Sequence, residues 1–129
     1  MTQEEKQLLL IDLCARLPYG VKGIRTYNEN EIVELDLIIP KCKINLNAES
    51  ETFSELEFTN LDCCPINKFK PYLRPMSSMT EEEKKEREMY RLVRGGWTDE
   101  GFDWLNKKMF DYRGLIPMSL ALEAPKDMY

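Results

Sequence analysis

The spacing of two prolines and one capping box constrains this chain more than any other feature. Pro71 and Pro75 each fix φ near about −65° and hold the preceding residue out of the helical region. Thr80 then stands three residues before Glu83, the spacing at which the two side chains cap a helix N-terminus reciprocally. Residues 70–75 are therefore predicted to be extended, and a helix is predicted to begin at Thr80.

The stretch before these prolines has the apolar–polar alternation of half-buried strands. Residues 21–27 and 31–39 form a predicted hairpin whose turn lies at Asn28, Glu29 and Asn30, and Pro40 is predicted to end it. Shorter extended pieces are predicted at 42–46, 56–58 and 66–73, with a polar loop at 48–54. Short strands joined by hairpins favour an antiparallel β-meander, either an open sheet or a small SH3-like barrel.

Helices are predicted on both sides of this β-rich part. Thr2 and Glu5 form a second capping box, and the apolar face that follows contains Leu9, Leu10, Leu13, Cys14 and Leu17. Three later helices are predicted. The first is a charged helix at 80–93, with Met89, Leu92 and Val93 as its apolar anchors and Gly95 and Gly96 at its end. The second, at 99–109, is capped by Thr98, and the third is a short helix before Pro125. The sequence thus predicts a single α+β domain with an N-terminal helix at 1–18, a β-rich part at 19–75 and a helical part at 80–129.

Composition and charge argue against several classes of function. The chain is 43% apolar and 32% charged, which is typical of a soluble globular protein. Its net charge of −5 disfavours nucleic-acid binding, which needs a basic face. Its first residues have no secretory pattern and its apolar runs are too short to span a bilayer, so a cytoplasmic location without membrane contact is predicted.

The side chain that most often acts as a general base near neutral pH is missing. The chain has no histidine, and its four cysteines have no metal-binding spacing, so we interpret them as reduced thiols. No glycine-rich phosphate loop is present. The sequence therefore predicts a non-catalytic protein without cofactor or metal, and carboxylate or Mg²⁺ chemistry is the enzymatic alternative.

Two groups of residues are candidate binding sites. The first is the alternating series Lys68, Lys70, Tyr72 and Arg74, which period-2 geometry places on one side of the ribbon. Cations and an aromatic ring on one face can hold a phosphate or stack on a base. The structural alternative is an edge strand kept soluble by lysines.

The second group mixes aromatic, acidic and guanidinium side chains. It contains Phe102, Asp103, Trp104, Phe110, Asp111, Tyr112 and Arg113. This composition is typical of the residues that dominate protein–protein binding. It is equally typical of a buried corner in which Arg113 pairs with an aspartate.

Four segments of the chain carry a resemblance to known proteins, namely DLCARLPYGV, YLRPMSSMTEEEKKE, FDWLNKKMFDYRGLI and LALEAPKDMY. They resemble segments of a group of small proteins encoded by gut Bacteroidetes and by their phages or mobile elements. Members of the group often have two histidines before FDYRGL, where this chain has Lys108 and Met109. The resemblance implies a cytosolic accessory protein in a bacterial or phage setting, and it implies no activity.

These observations leave three hypotheses of function. The first is a protein that binds another protein, such as a host defence or regulatory factor, or that associates with itself, through the surface near Trp104 and Arg113. The second is a small-molecule binder that holds a nucleotide-like anion against Tyr72 and Arg74. The third is an enzyme that works without histidine.

Overall fold

The α+β class predicted from the sequence is confirmed. The structure, a computed structural model, describes residues 1–44, 46–47, 50–91 and 96–129, and at residues 43, 44 and 50–52 it describes the backbone alone. Its helices are α1 (Gln3–Arg16), α2 (Glu81–Glu88) and α3 (Asp99–Lys107). Its strands are β1 (Lys22–Arg25), β2 (Asn28–Ile44), β3 (Ser50–Phe58), β4 (Cys63–Pro65), β5 (Phe69–Leu73) and β6 (Leu122–Glu123). Short 3₁₀ turns occupy Leu17–Tyr19, Ile66–Lys68 and Met76–Ser78.

The described strands form one six-stranded sheet in the order β4-β3-β2-β1-β5-β6. The first four strands are an antiparallel meander, as predicted. β5 returns to pair with β1 in the antiparallel sense, and β6 adds to β5 in parallel. Because β4 and β6 stand at opposite ends of this order, the described strands form an open series.

The strand boundaries differ from the prediction in two places. The turn between β1 and β2 lies at residues 26 and 27, so Asn28 begins β2 and Asn28–Asn30 are not the turn. Pro40 does not end the hairpin, because β2 continues through it to Ile44. β1 pairs with β2 only as far as Glu34, so beyond that residue β3 is the one neighbour of β2 among the described strands. A proline is tolerated in a strand that has one open side.

The segment after the β2–β3 turn is more extended than predicted. Residues 50–54, predicted as a polar loop, belong to β3, while 45, 48 and 49 lie outside the described residues. β4 was not predicted, and the fifth predicted piece divides into a 3₁₀ turn and β5. We call the paired parts of β2 and β3 between residues 37 and 57 the β2–β3 ribbon.

The main core lies between α1 and the sheet. Leu9 and Leu13 of α1 are fully buried there. They belong to a cluster that also contains Val21, Val33, Leu35, Leu56, Phe58, Phe69, Leu73, Met109 and Leu115. Cys14, predicted on the buried face, is exposed, and Asp12 and Arg16 are buried instead. All four cysteines are free thiols.

Both predicted capping boxes are present. Thr2 and Glu5 cap α1, and Thr80 and Glu83 cap α2. The hydroxyl of Thr98 caps α3 through the Gly101 N–H. α2 ends at Glu88, short of the predicted Val93, and the predicted anchors Leu92 and Val93 and the predicted stop at Gly95 lie outside the described residues.

The last part of the chain completes the sheet. The helix predicted before Pro125 is absent, because turns occupy residues 115–119 and Leu122 pairs with Tyr72 in β5. The predicted helical part therefore contributes a strand. Within the described ranges, no helix combines the length and the apolar character needed to cross a bilayer.

Candidate functional site

The alternation predicted for β5 is confirmed. Phe69, Pro71 and Leu73 are buried, whereas Lys70 and Tyr72 are half-buried on the other side. β5 pairs with β1 at Phe69, Lys70 and Pro71, and its opposite edge pairs with β6 at Tyr72 and Leu73. The edge-strand interpretation therefore fits only the part of β5 before Tyr72.

Arg74 is already engaged by a carboxylate. Its Nη1 and Nη2 donate to Glu83 Oε2 and Oε1 at 2.8 and 2.7 Å. Its guanidinium carbon also lies 4.3 Å from the centre of the Phe110 ring. The hydrogen bonds from Arg74 lower the pKa of Glu83 to about 2, against the opposing effect of burial, and the Thr80 N–H contributes in the same direction. Arg74 thus joins β5 to the capping box of α2, and it has no free fork for a phosphate while this pair is intact.

Trp104 and Asp111 lie inside the protein. Trp104 is 7% exposed, its Nε1 donates to Glu86 Oε2 at 2.9 Å, and its ring stacks on Tyr90. Asp111 is 8% exposed, and its carboxylate accepts the backbone N–H groups of residues 115 and 116 at 2.8 and 2.9 Å. Both residues hold local structure, in agreement with the buried-corner interpretation.

Tyr112 and Arg113 form a partly exposed surface with Phe102. The rings of Phe102 and Tyr112 are 5.5 Å apart, and the Arg113 guanidinium lies 4.5 Å from the Tyr112 ring centre. Tyr112 also donates its hydroxyl to Asn106 Oδ1 at 2.9 Å. Phe102 is 39% exposed. We call Phe102, Tyr112 and Arg113 the aromatic–arginine surface.

A buried ion cluster lies behind this surface. Asp12 and Arg16 are both fully buried and joined by two hydrogen bonds of 2.9 and 3.0 Å. Arg16 also donates to the Phe110 carbonyl, and Arg113 Nη1 donates to Asp12 Oδ1 at 2.7 Å. Arg113 therefore pairs with an aspartate as the structural alternative predicted, and its partner is Asp12 of α1, 101 positions away.

The buried ion pair was not predicted, although the sequence contains one pattern that indicates it. Asp12 and Arg16 are four residues apart, the spacing of an intrahelical ion pair, and they flank Leu13 on the apolar face of α1. Two opposite charges on the buried face of a helix indicate a paired internal group, because an unpaired buried charge is too costly.

A cleft of about 620 Å³ opens beside Arg74. Its charged lining comprises the cations Arg74, Lys108 and Lys126 and the carboxylates Glu82, Glu83, Glu86 and Asp127. Carboxylates outnumber cations among these residues, and Arg74 is neutralised by Glu83. A nucleotide-like anion would therefore meet net negative charge in this cleft.

The fold and these contacts define an α+β protein with a partly exposed aromatic–arginine surface supported by a buried ion cluster. Comparison with known proteins adds no relative, because no family model, no curated protein and no solved structure matches the chain. In the part of the chain that the structure describes, no group of three cysteine, aspartate or glutamate side chains is placed to hold a metal.

Proposed function

We propose that this protein acts by binding another protein through the aromatic–arginine surface. The observation that supports the proposal is that Phe102, 39% exposed, packs against Tyr112, which also lies under the Arg113 guanidinium. Aromatic and arginine side chains contribute most of the energy at many protein interfaces. Trp104 was predicted to provide this contact. Because Trp104 is buried, the proposed surface contains the exposed Phe102 instead.

The surface is held in place before any partner arrives. Arg113 is fixed to the buried Asp12, and Tyr112 is fixed by its hydroxyl bond to Asn106. Side chains that are already ordered lose less conformational entropy on binding than mobile ones. Arg113 keeps 20% of its side chain exposed, so it remains accessible to a partner while it is anchored.

We place this activity in the cytosol of a bacterial host. The resemblance to small proteins of Bacteroidetes and their phages supports an accessory role, and a host defence or regulatory factor is the partner class that fits it. Self-association through the same surface is the other form of the proposal. No catalytic step belongs to it.

A capture experiment with matched variants tests the proposal. The tagged protein is used as bait in a lysate of the bacterial host, and the captured protein is identified and its Kd is measured. Phe102→Ala and Arg113→Ala should each raise this Kd about fivefold or more. Tyr27→Ala is the control, because Tyr27 is also an exposed ring that stacks on a paired arginine, Arg25.

Two outcomes would overturn this function. One is capture that neither surface variant changes, and the other is capture that Tyr27→Ala weakens equally. Sedimentation of the purified protein separates self-association from binding of a second protein, since only self-association shifts the mass of the protein alone. All variants are compared below their unfolding temperatures, because Arg113→Ala also removes a partner of Asp12.

The alternative function is the sequestration of a nucleotide-like anion against Lys70, Tyr72 and Arg74. Its support is weaker, since Glu83 occupies the Arg74 fork. A thermal-shift series against nucleotides tests it, because ligand at 100 times its Kd stabilises the folded state by about 2.7 kcal/mol. A histidine-independent enzyme is a further alternative, and no contact described above favours it.

A further inference from the structure

A second cleft lies between the first half of α1 and the β2–β3 ribbon. It has a volume of about 220 Å³, smaller than the roughly 300–1,000 Å³ of pockets for drug-sized ligands. Its apolar lining includes Leu10 of α1, Pro40 and Phe53 of the ribbon, and Ile66. A small ligand therefore fits this cleft better than a nucleotide.

The lining changes from polar to apolar along α1. Gln3, Lys6, Gln7 and Leu10 follow one another at helical spacing, so their side chains lie along one stripe of the helix. Leu10 packs against the main core, and Ile66 is 5% exposed. The cleft thus offers amide and ammonium groups at one end and an apolar surface at the other.

The charge of the lining is opposite to that of the whole protein. Lys6 is the one ionisable side chain among the described residues of the lining, and it forms no ion pair within 4.0 Å with any described residue. The clefts beside Arg74 and beside Ile32 are both lined by several carboxylates. A single unpaired cation in the same cleft as apolar side chains favours an amphipathic ligand with one negative charge.

We propose that this cleft binds a small amphipathic carboxylate. Its carboxylate accepts hydrogen bonds from Lys6 and from the neighbouring glutamine amides, and its apolar body lies on Leu10, Ile66 and Phe53. The site is separate from the aromatic–arginine surface and does not depend on the function proposed for it.

Titration of the ¹⁵N-labelled full chain with two matched probes tests the proposal. The probes are 4-phenylbutyrate and its neutral amide, 4-phenylbutanamide, which share one apolar body and differ in charge. We expect amide shifts confined to residues 3–10, 53–54 and 66–67, with tighter binding of the carboxylate. Equal binding of both probes, shifts located elsewhere, or no saturable shift with either probe would overturn the proposal.

Three variants separate the roles of charge and volume. Lys6→Gln should raise the Kd of the carboxylate probe about two- to fivefold, the range expected for loss of an exposed ion pair. The Kd of the amide probe should stay unchanged. Gln7→Trp places a large ring in the cleft from an exposed helix position, and it should abolish binding of both probes while the helical circular dichroism is retained. Lys85→Gln, at an exposed lysine of α2, should change neither affinity, and a loss equal to that of Lys6→Gln would also overturn the proposal.

Discussion

Asp12 is the residue on which the charge balance of the α1 interior depends. Its fully buried carboxylate bonds to Arg16 and Arg113, and Arg16 Nη1 is itself buried without a partner among the described residues. Removal of the carboxylate would leave two guanidinium groups without their counter-charge. The cost of an uncompensated buried charge far exceeds that of losing an exposed ion pair.

Asp12→Asn should lower the free energy of unfolding by about 3–5 kcal/mol, because it preserves the shape of the side chain and removes its charge. Equilibrium unfolding in urea at neutral pH measures this change. Asp36→Asn, at an exposed aspartate of β2, is the control and should stay within about 0.5 kcal/mol of the unmodified chain. A loss below about 1 kcal/mol for Asp12→Asn would show that Asp12 is not the required counter-charge.

Glu83 makes stability depend on pH in the acid range. Its pKa is about 2 in the folded protein and near 4.5 in the unfolded chain, so its contribution is complete above pH 4.5 and decreases as pH falls toward 2. Glu83→Gln should lower the free energy of unfolding by about 2 kcal/mol at pH 7, and the difference should shrink between pH 4.5 and 2. Glutamine still serves a capping box, so the change isolates the ion pair with Arg74.

Denaturant unfolding at a series of pH values measures this difference. Glu82→Gln is the matched control, because Glu82 is an exposed carboxylate in the same helical turn. It should be nearly neutral at every pH. If the two variants had the same pH profile, the Arg74–Glu83 pair would not be the cause.

Local patterns predicted which way side chains point, and they did not predict what those side chains meet. Alternation placed Arg74 on the side of β5 opposite Leu73, but nothing in that pattern indicates that a glutamate nine residues later reaches it. Likewise, the composition around Arg113 allowed either a surface or a buried corner. The choice depended on α1, whose Asp12 comes close only when the whole chain has folded.

At the scale of elements, the signals within a few residues were the reliable ones. The capping boxes at Thr2 and Thr80 formed because their hydrogen bonds connect groups three residues apart. Strand boundaries were less predictable, because a proline ends a strand only where a neighbour needs its N–H. Among the described strands, β3 is the one neighbour of β2 at Pro40, and a proline is tolerated in a strand that has one open side.

The pairing of β1 with β5 depends on a residue without a side chain. A Cβ on Gly23 would overlap the Lys70 carbonyl oxygen and lie 2.5 Å from Phe69 Cζ. Both neighbours are fixed, one as backbone and one as a fully buried ring. Gly23 is therefore a position in β1 at which a side chain has no room against β5.

Gly23→Ala should lower the free energy of unfolding by about 3 kcal/mol, because neither neighbour can move without disturbing the core. Gly114→Ala is the matched control, since a Cβ there meets nothing within 4 Å and the cost comes only from its φ of 77°. That cost is about 1–2 kcal/mol. Urea unfolding of both variants measures the comparison, and equal losses would argue against a close contact between β1 and β5.

At the scale of the whole molecule, contacts between distant parts of the chain complete the fold. β6 adds to β5 in parallel, and Tyr129 bonds to both β1 and β5. β6 is two residues long, and a pattern of two residues in the sequence does not distinguish a strand from a turn. Such pairing is decided by the sheet edge already formed by β5, so it could not be predicted locally.

The Tyr129 hydroxyl connects the C-terminal end of the chain to the sheet by hydrogen bonds. It accepts the Lys22 N–H at 2.9 Å and donates to the Tyr72 carbonyl at 2.7 Å. Burial raises the pKa of Tyr129 to about 12, so the folded state prefers the protonated hydroxyl. The stability that this group provides is complete below pH 10 and is lost as pH rises from 10 to 12.

Tyr129→Phe should therefore destabilise the protein by about 1 kcal/mol at pH 8, because it leaves the Lys22 N–H and the Tyr72 carbonyl without this partner. Residue 129 is 41% exposed, so water screens part of the effect and a larger loss is not expected. The difference from the unmodified chain should disappear as pH rises from 10 to 12, measured by urea unfolding at each pH. Tyr19→Phe, at an exposed tyrosine before β1, controls for the general effect of alkali on lysines and tyrosines. If Tyr129→Phe and the unmodified chain lost stability in parallel over that range, the hydroxyl would not be what holds residues 125–129 against β1 and β5.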